Sequence, residues 1–178
     1  MIVKKTTVLA AAFSLLLIPL LSCGGRDSAG GGELIRKFSV DSSDRVITKK
    51  GVSTDSKVSR DGEGSIRIDV TGTRTIQLYQ IGGIDIDAAF LIYRAAIRTE
   101  DLDGETFLEM LCYFQDKGEF FSRNYDDPLS GTNDWTYKST PFTLRAGEMP
   151  DLIKLNLHVS GTGTVWIDDI SLLKRPAE

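Results

Sequence analysis

Gly163-Thr164-Val165-Trp166-Ile167-Asp168-Asp169-Ile170-Ser171-Leu172 is an apolar run interrupted at its middle by two adjacent acids. Val165 and Ile167 share one face of a period-two pattern; Ile170 and Leu172 also share a face, but one residue out of phase. A bulge at Asp168-Asp169 returns both apolar pairs to a single core and re-aims a carboxylate. Adjacent acids in such a strand need a cation, a backbone donor or solvent. Trp166 alternates away from Val165 and Ile167, toward the surface or a lower core.

The same alternation runs back through the chain from Glu33, with no long stretch of helical period. Ser65–Val70 and Thr75–Tyr79 alternate cleanly, Ala89–Arg98 and Thr106–Gln115 are the longest segments, and Leu152–Val159 and Thr164–Leu173 close the set. Leu34–Val40, Arg45–Thr48, Glu119–Arg123 and Phe142–Leu144 are shorter candidates. Turn chemistry at Asp61-Gly62, Gly82-Gly83, Asp103-Gly104, Lys117-Gly118, Asp127-Pro128, Ser130-Gly131 and Gly161-Thr162-Gly163 separates them. Many short strands without intervening helices predict an all-β antiparallel sandwich or barrel. There is no internal repeat and no second folded domain.

The N-terminus is an address. Lys4 and Lys5 precede an uncharged, mostly aliphatic run from Thr6 to Leu21, the layout of a secretory signal peptide. The run is short for a spanning helix of ~20 residues. It ends at Leu20-Leu21-Ser22-Cys23-Gly24, which resembles the lipobox of bacterial lipoproteins. The resemblance implies cleavage before Cys23, acylation of that residue, and attachment to the cell envelope. Gly24, where an Asp would resemble an inner-membrane retention signal, favours the outer membrane in a Gram-negative cell. Residues 1–22 then form the signal peptide, 23–32 a lipidated Gly-rich tether, and 33–178 the β-sandwich domain. With Cys23 acylated, Cys112 is left without an intrachain disulfide partner.

Composition excludes several classes. The 178 residues carry a formal charge of −4, against a dedicated nucleic-acid binder. One His and two Cys leave no multi-Cys/His zinc site. No Gly-x-Ser-x-Gly elbow, P-loop, dinucleotide motif or His-Glu-x-x-His occurs. Cys112, within an apolar strand, reads as a small buried hydrophobe. The chain reads as a binding module rather than an enzyme; a pair of carboxylates for glycan hydrolysis is the lesser alternative.

Gly163–Leu172 resembles the closing strand of carbohydrate-binding-module jelly rolls of the galactose-binding-domain-like group. Asp61-Gly62-Glu63-Gly64-Ser65-Ile66-Arg67-Ile68 looks like their early Gly-then-strand element. Asp134-Trp135-Thr136, with Pro141-Phe142-Thr143-Leu144, is similar to their Trp-bearing strand entry. The resemblance implies a jelly-roll sandwich that binds a carbohydrate; an envelope protein is the alternative partner. It also implies a structural calcium tying Asp61 to Asp168 or Asp169. The alternative is that one Asp caps the bulge and the other faces water.

Sugar binding needs flat apolar surfaces and a few fixed polar groups. In Leu152–Val159, alternation turns Asn156 and His158 away from the core. In Ala89–Arg98 it puts Arg94 and Arg98 on the outer face, and in Phe107–Gln115 it puts Glu109 with Tyr113. Arg94, Glu109, Tyr113, Asn156 and His158 are therefore expected to line one concave face, with an ordinary solvated sheet face as the alternative. Phe120–Trp135 reads as a long polar loop bracketed by aromatics, with Arg123, Tyr125 and Trp135 placed to grip a ligand. Trp135 reads equally as a core residue at a sheet edge.

Overall fold

The computed structural model describes residues 32–177. The expected signal peptide, Cys23 and the expected tether apart from Gly32 lie outside the described residues. Among the described residues there is no α-helix, and nine strands follow in order: β1 (Glu33–Phe38), β2 (Val52–Asp55), β3 (Ser65–Thr71), β4 (Arg74–Gly82), β5 (Ala89–Phe114), β6 (Gly118–Arg123), β7 (Leu129–Thr143), β8 (Leu152–Val159) and β9 (Thr162–Pro176). Every pairing is antiparallel.

One strand serves both layers of this sandwich. The first half of β5 pairs with β9 and β7, and its second half with β8 and β6. The first layer runs β2–β3–β9–β5–β7; the second runs β4–β8–β5–β6. Between them lie the alternating residues of each strand. Leu91, Tyr93, Ala95 and Ile97 from the first half of β5, and Leu108, Met110 and Cys112 from the second, are fully buried. Leu155, Leu157 and Val159 of β8 join the same core.

The expected break at Asp103-Gly104 is instead a bend inside the 26-residue β5. Here β5 crosses the β8–β9 hairpin. The Asp103 carboxylate accepts the Thr162 backbone N–H and, at 3.1 Å, its hydroxyl. A Cβ on Gly104 would collide with the Ser160 carbonyl, so the glycine marks close backbone approach rather than a chain reversal. Asp101, at φ 50°, absorbs the change of direction in the left-handed region.

The bulge in β9 is present. The register of β5 on β9 steps from Arg94↔Ser171 to Ala96↔Asp168, and Asp169 sits at φ 48°. Val165, Ile167, Ile170 and Leu172 are all fully buried as a result. The bulge also divides one edge of β9 between two partners: β3 takes 162–167 and β1 takes 170–174.

Three local readings differ. Arg45–Thr48 is no strand: a 3-10 turn spans Ser43–Arg45, and Ile47 and Thr48 donate to Leu78 and Gln77 carbonyls at 3.1 and 3.0 Å. β2 is a short polar edge strand without an alternating apolar face to announce it. Phe120–Trp135 is not a long loop. β6 ends at Arg123, β7 begins at Leu129, and the polar side chains of Thr132 and Asn133 bond across to Asp101 and Thr99.

Candidate functional site

Strand register assembles a polar row on the outer face of the second layer. Gln77 of β4 lies opposite Asn156 of β8, Asn156 opposite Glu109 of β5, and Glu109 opposite Arg123 of β6. On one side runs the row Thr75–His158–Phe107; on the other run Gln80–Lys154–Leu111–Phe121 and Leu152–Tyr113–Glu119. From Phe107 to Tyr113 the face extends about 20 Å at strand rise.

Glu109 and Asn156 belong to this outer face, yet they are only 3% and 4% exposed. Neighbouring side chains cover them. Asn156 Nδ2 donates to Glu109 Oε1 at 2.8 Å, while Arg123 Nε donates to Glu109 Oε2. The Arg123 guanidinium lies 4.1 Å from the Phe121 ring centroid and also donates to the Tyr125 hydroxyl. Burial pulls the Arg123 pKa down, but the bonds to Glu109 and Tyr125 outweigh it and raise the value. Asn156 Oδ1 is buried without a hydrogen-bond partner. A lone acceptor of this kind is costly unless a ligand or water donates to it.

Aromatic groups flank the row. His158 stacks on Phe107 with centroids 4.6 Å apart and planes 17° apart, and Tyr125 packs on Phe107 in a tilted arrangement at 4.9 Å. Thr75 Oγ1 lies 3.4 Å from His158 Nδ1. Tyr113, Phe121 and Tyr125 leave ring surface open to solvent, at 39%, 56% and 52% exposure. Lys154 is held by Glu119 at 2.5 Å.

Six of the candidate residues thus come together: Glu109, Tyr113, Asn156 and His158 from the sheet face, and Arg123 and Tyr125 from the expected loop. They merge because β6 delivers Arg123 directly opposite Glu109. Gln77, Lys154 and Phe121 join the face and were not picked out in the sequence. Phe121 had a usable signal, since it precedes Arg123 by two residues on one strand and so shares its face.

Arg94 and Trp135 do not join them. Arg94 sits on the first half of β5, in the other layer, where its guanidinium lies 3.9 Å from the Tyr137 ring centroid. The change of layer within β5 separates it from Glu109, a separation that alternation in two segments read apart does not reveal. Trp135 is half-buried on β7, which pairs with that same first half. Trp166, on the outer face of this layer, is buried at 3% exposure. Arg67 and Arg98 lie over its ring at 5.5 and 5.6 Å, and its indole N–H donates to Asp55 at 3.0 Å.

The acids proposed for calcium have other partners. Asp168 is fully buried and accepts the backbone N–H groups of Arg60 at 2.7 Å and Asp169 at 2.6 Å. Burial raises its pKa against the pull of those two bonds. Asp169 accepts the Tyr137 hydroxyl and pairs with Lys37 at 3.1 Å. Burial pushes its pKa up, but Tyr137 and Lys37 outweigh this and leave it low. Asp61 lines a cleft of about 310 Å³ with both, and Asp41 and Glu63 line it too. Among the described residues no three His, Cys, Asp or Glu side chains converge as a metal cage. Calcium needs six to eight oxygens; here the Asp168 and Asp169 carboxylates already accept from backbone N–H groups, Tyr137 and Lys37.

No family model and no curated protein matches the chain. Solved structures do. The xylan-binding CBM22-1 domain of Paenibacillus barcinonensis Xyn10C superposes with a TM-score of 0.61 at 8% identity, over 85% of this chain and 100% of that one. The C-terminal family 22 carbohydrate-binding module of Clostridium thermocellum Xyn10B gives 0.55 at 9% identity, over 81% and 96%. The N-terminal CBM22-1–GH10 modules of xylanase 10B from Clostridium thermocellum, complexed with xylohexaose, give 0.55 at 10% identity, over 83% of this chain but only 30% of that one. The chain therefore has the β-sandwich fold seen in carbohydrate-binding modules of family 22.

Proposed function

We propose that this protein is a non-catalytic carbohydrate-binding module, held at the bacterial envelope by lipid on Cys23. A glycan lies along the outer face of the second layer, with Tyr113, Phe121 and Tyr125 under its rings and the Arg123 guanidinium bonding its hydroxyls. The observation that carries this reading is the row Gln77–Asn156–Glu109–Arg123, fixed by strand register and bordered by exposed aromatic rings. Such a combination of flat apolar surface with a few oriented polar groups is what sugar recognition requires. Glu109 and Asn156 act from beneath, by holding Arg123 in place.

A binding rather than catalytic role is supported by the candidate reactive groups. Burial pushes the Cys112 thiol up to about 12, far from a working nucleophile. Glu109 is committed to Arg123 and Asn156. The sandwich likeness to xylan-binding modules makes xylan and xylohexaose the first ligands to try. Affinity electrophoresis of the full chain in gels cast with soluble polysaccharides tests the reading. Retardation without release of reducing sugar supports it; unretarded migration through every polysaccharide, by a folded sample, contradicts it.

A further inference from the structure

Where β5 turns into β6, the two layers leave an open slot of about 250 Å³. Three phenylalanines from three strands wall it: Phe114 of β5, Phe120 of β6 and Phe142 of β7. Phe114 stands edge-on to Phe120, with centroids 5.9 Å apart, and closer to parallel with Phe142 at 6.4 Å. Phe120 lies opposite Cys112, a core residue, and so points inward, whereas its neighbour Phe121 faces outward with Arg123. Yet Phe120 is 47% exposed. An inward-facing ring, packed on Phe114 along one edge, is thus left half open to solvent.

The mouth of the slot carries Lys117, Arg145 and Glu148. Lys117 is neutralised by Glu148 at 2.9 Å, and the other Glu148 oxygen accepts the Arg145 backbone N–H at 3.0 Å. The Arg145 guanidinium has no carboxylate partner among the described residues. Its loop is pinned: the Arg145 carbonyl accepts from Ala88 at 3.3 Å and Glu148 at 2.9 Å, and Gly147 donates to Asp87 at 3.0 Å. An unpaired cation thus lines an aromatic slot on a backbone that needs little ordering.

We propose that this slot is a second binding site, for a small aromatic carboxylate, with its ring against Phe120 and its carboxylate on Arg145. An apolar cavity of about 150 Å³ holds benzene, so the slot has room for a ring and a short acidic arm. Its lining shares no residue with the Glu109 row, and the proposal stands whether or not that row binds glycan.

The test is a titration of the full chain with 3-phenylpropionate and with its uncharged isostere 3-phenylpropionamide, followed by NMR shifts at low salt. Saturable binding of the acid is expected, roughly two- to fivefold tighter than the amide, the range for an exposed ion pair. Arg145→Gln is expected to make the two ligands equal without changing the melting temperature. Phe120→Ala is expected to abolish binding of both. Absence of saturable binding by the folded protein overturns the proposal. So does equal affinity for the two ligands in the wild type, or an acid preference that survives Arg145→Gln. Arg145 is exposed on its loop, so the test stands even where Phe120→Ala fails to fold.

Discussion

Asn156 and Glu109 face each other across β8 and β5, joined by a 2.8 Å bond from Nδ2 to Oε1, and both are almost wholly buried on what is formally the outside of a sheet. The pair is the floor of the candidate site. Asn156→Leu removes the donor and leaves one Glu109 oxygen buried and unpaired. We expect a loss of about 1–3 kcal/mol in unfolding free energy. Chemical denaturation measures it, and an unchanged midpoint would show that the bond does not anchor Glu109.

Asp168 and Asp169 make opposite contributions to pH dependence. The folded pKa of Asp169 is lowered, so its stabilisation is present above the unfolded value of ~3.9 and is lost as pH falls through the folded value. Asp168 has a raised folded pKa, so its contribution is full below ~3.9 and is lost as pH rises through the folded value. Asp169→Asn should therefore lose stability relative to wild type as pH rises from below the folded value of Asp169 to ~3.9, while Asp168→Asn gains on wild type as pH rises from ~3.9 through the folded value of Asp168. Denaturation midpoints of the three proteins against pH decide this; parallel trends for the two variants would contradict it.

Gly104 permits the crossing of β5 over the β8–β9 hairpin. A methyl group there meets backbone rather than a movable side chain. Gly104→Ala is expected to cost at least about 2 kcal/mol, because two strand segments must separate to admit it. A melting temperature equal to wild type would refute the close approach.

The proposed anchor rests on the resemblance of Leu20-Leu21-Ser22-Cys23 to a lipobox. Metabolic labelling with a fatty-acid analogue in a bacterial host should mark the wild-type chain and leave Cys23→Ser unlabelled. Labelling that persists in the variant would place the lipid elsewhere or remove it from the account.

Most of the layering was legible in the chain because alternation survives wherever one face is buried. The phase slip at Asp168-Asp169 located a bulge to the residue. What alternation cannot convey is which strands adjoin. Glu109, Asn156 and Arg123 become a row only through register, and Arg94 leaves it only because β5 changes layer midway. Asp103-Gly104 misled because turn residues and close-approach residues look alike. The polar stretch before Trp135 misled because Thr132 and Asn133 bond to β5 backbone and side chain and so continue a strand.

The central claim is that glycan binds on the face bearing Glu109 and Tyr113, not on the face bearing Arg94. The most direct measurement is a glycan-array screen, xylan oligosaccharides included, of the full chain beside Tyr113→Ala and Arg94→Ala. The account predicts specific binding by the wild type, unchanged in Arg94→Ala and weakened roughly tenfold in Tyr113→Ala with native melting. A folded wild type that binds no glycan, or binding lost in Arg94→Ala and kept in Tyr113→Ala, would contradict it.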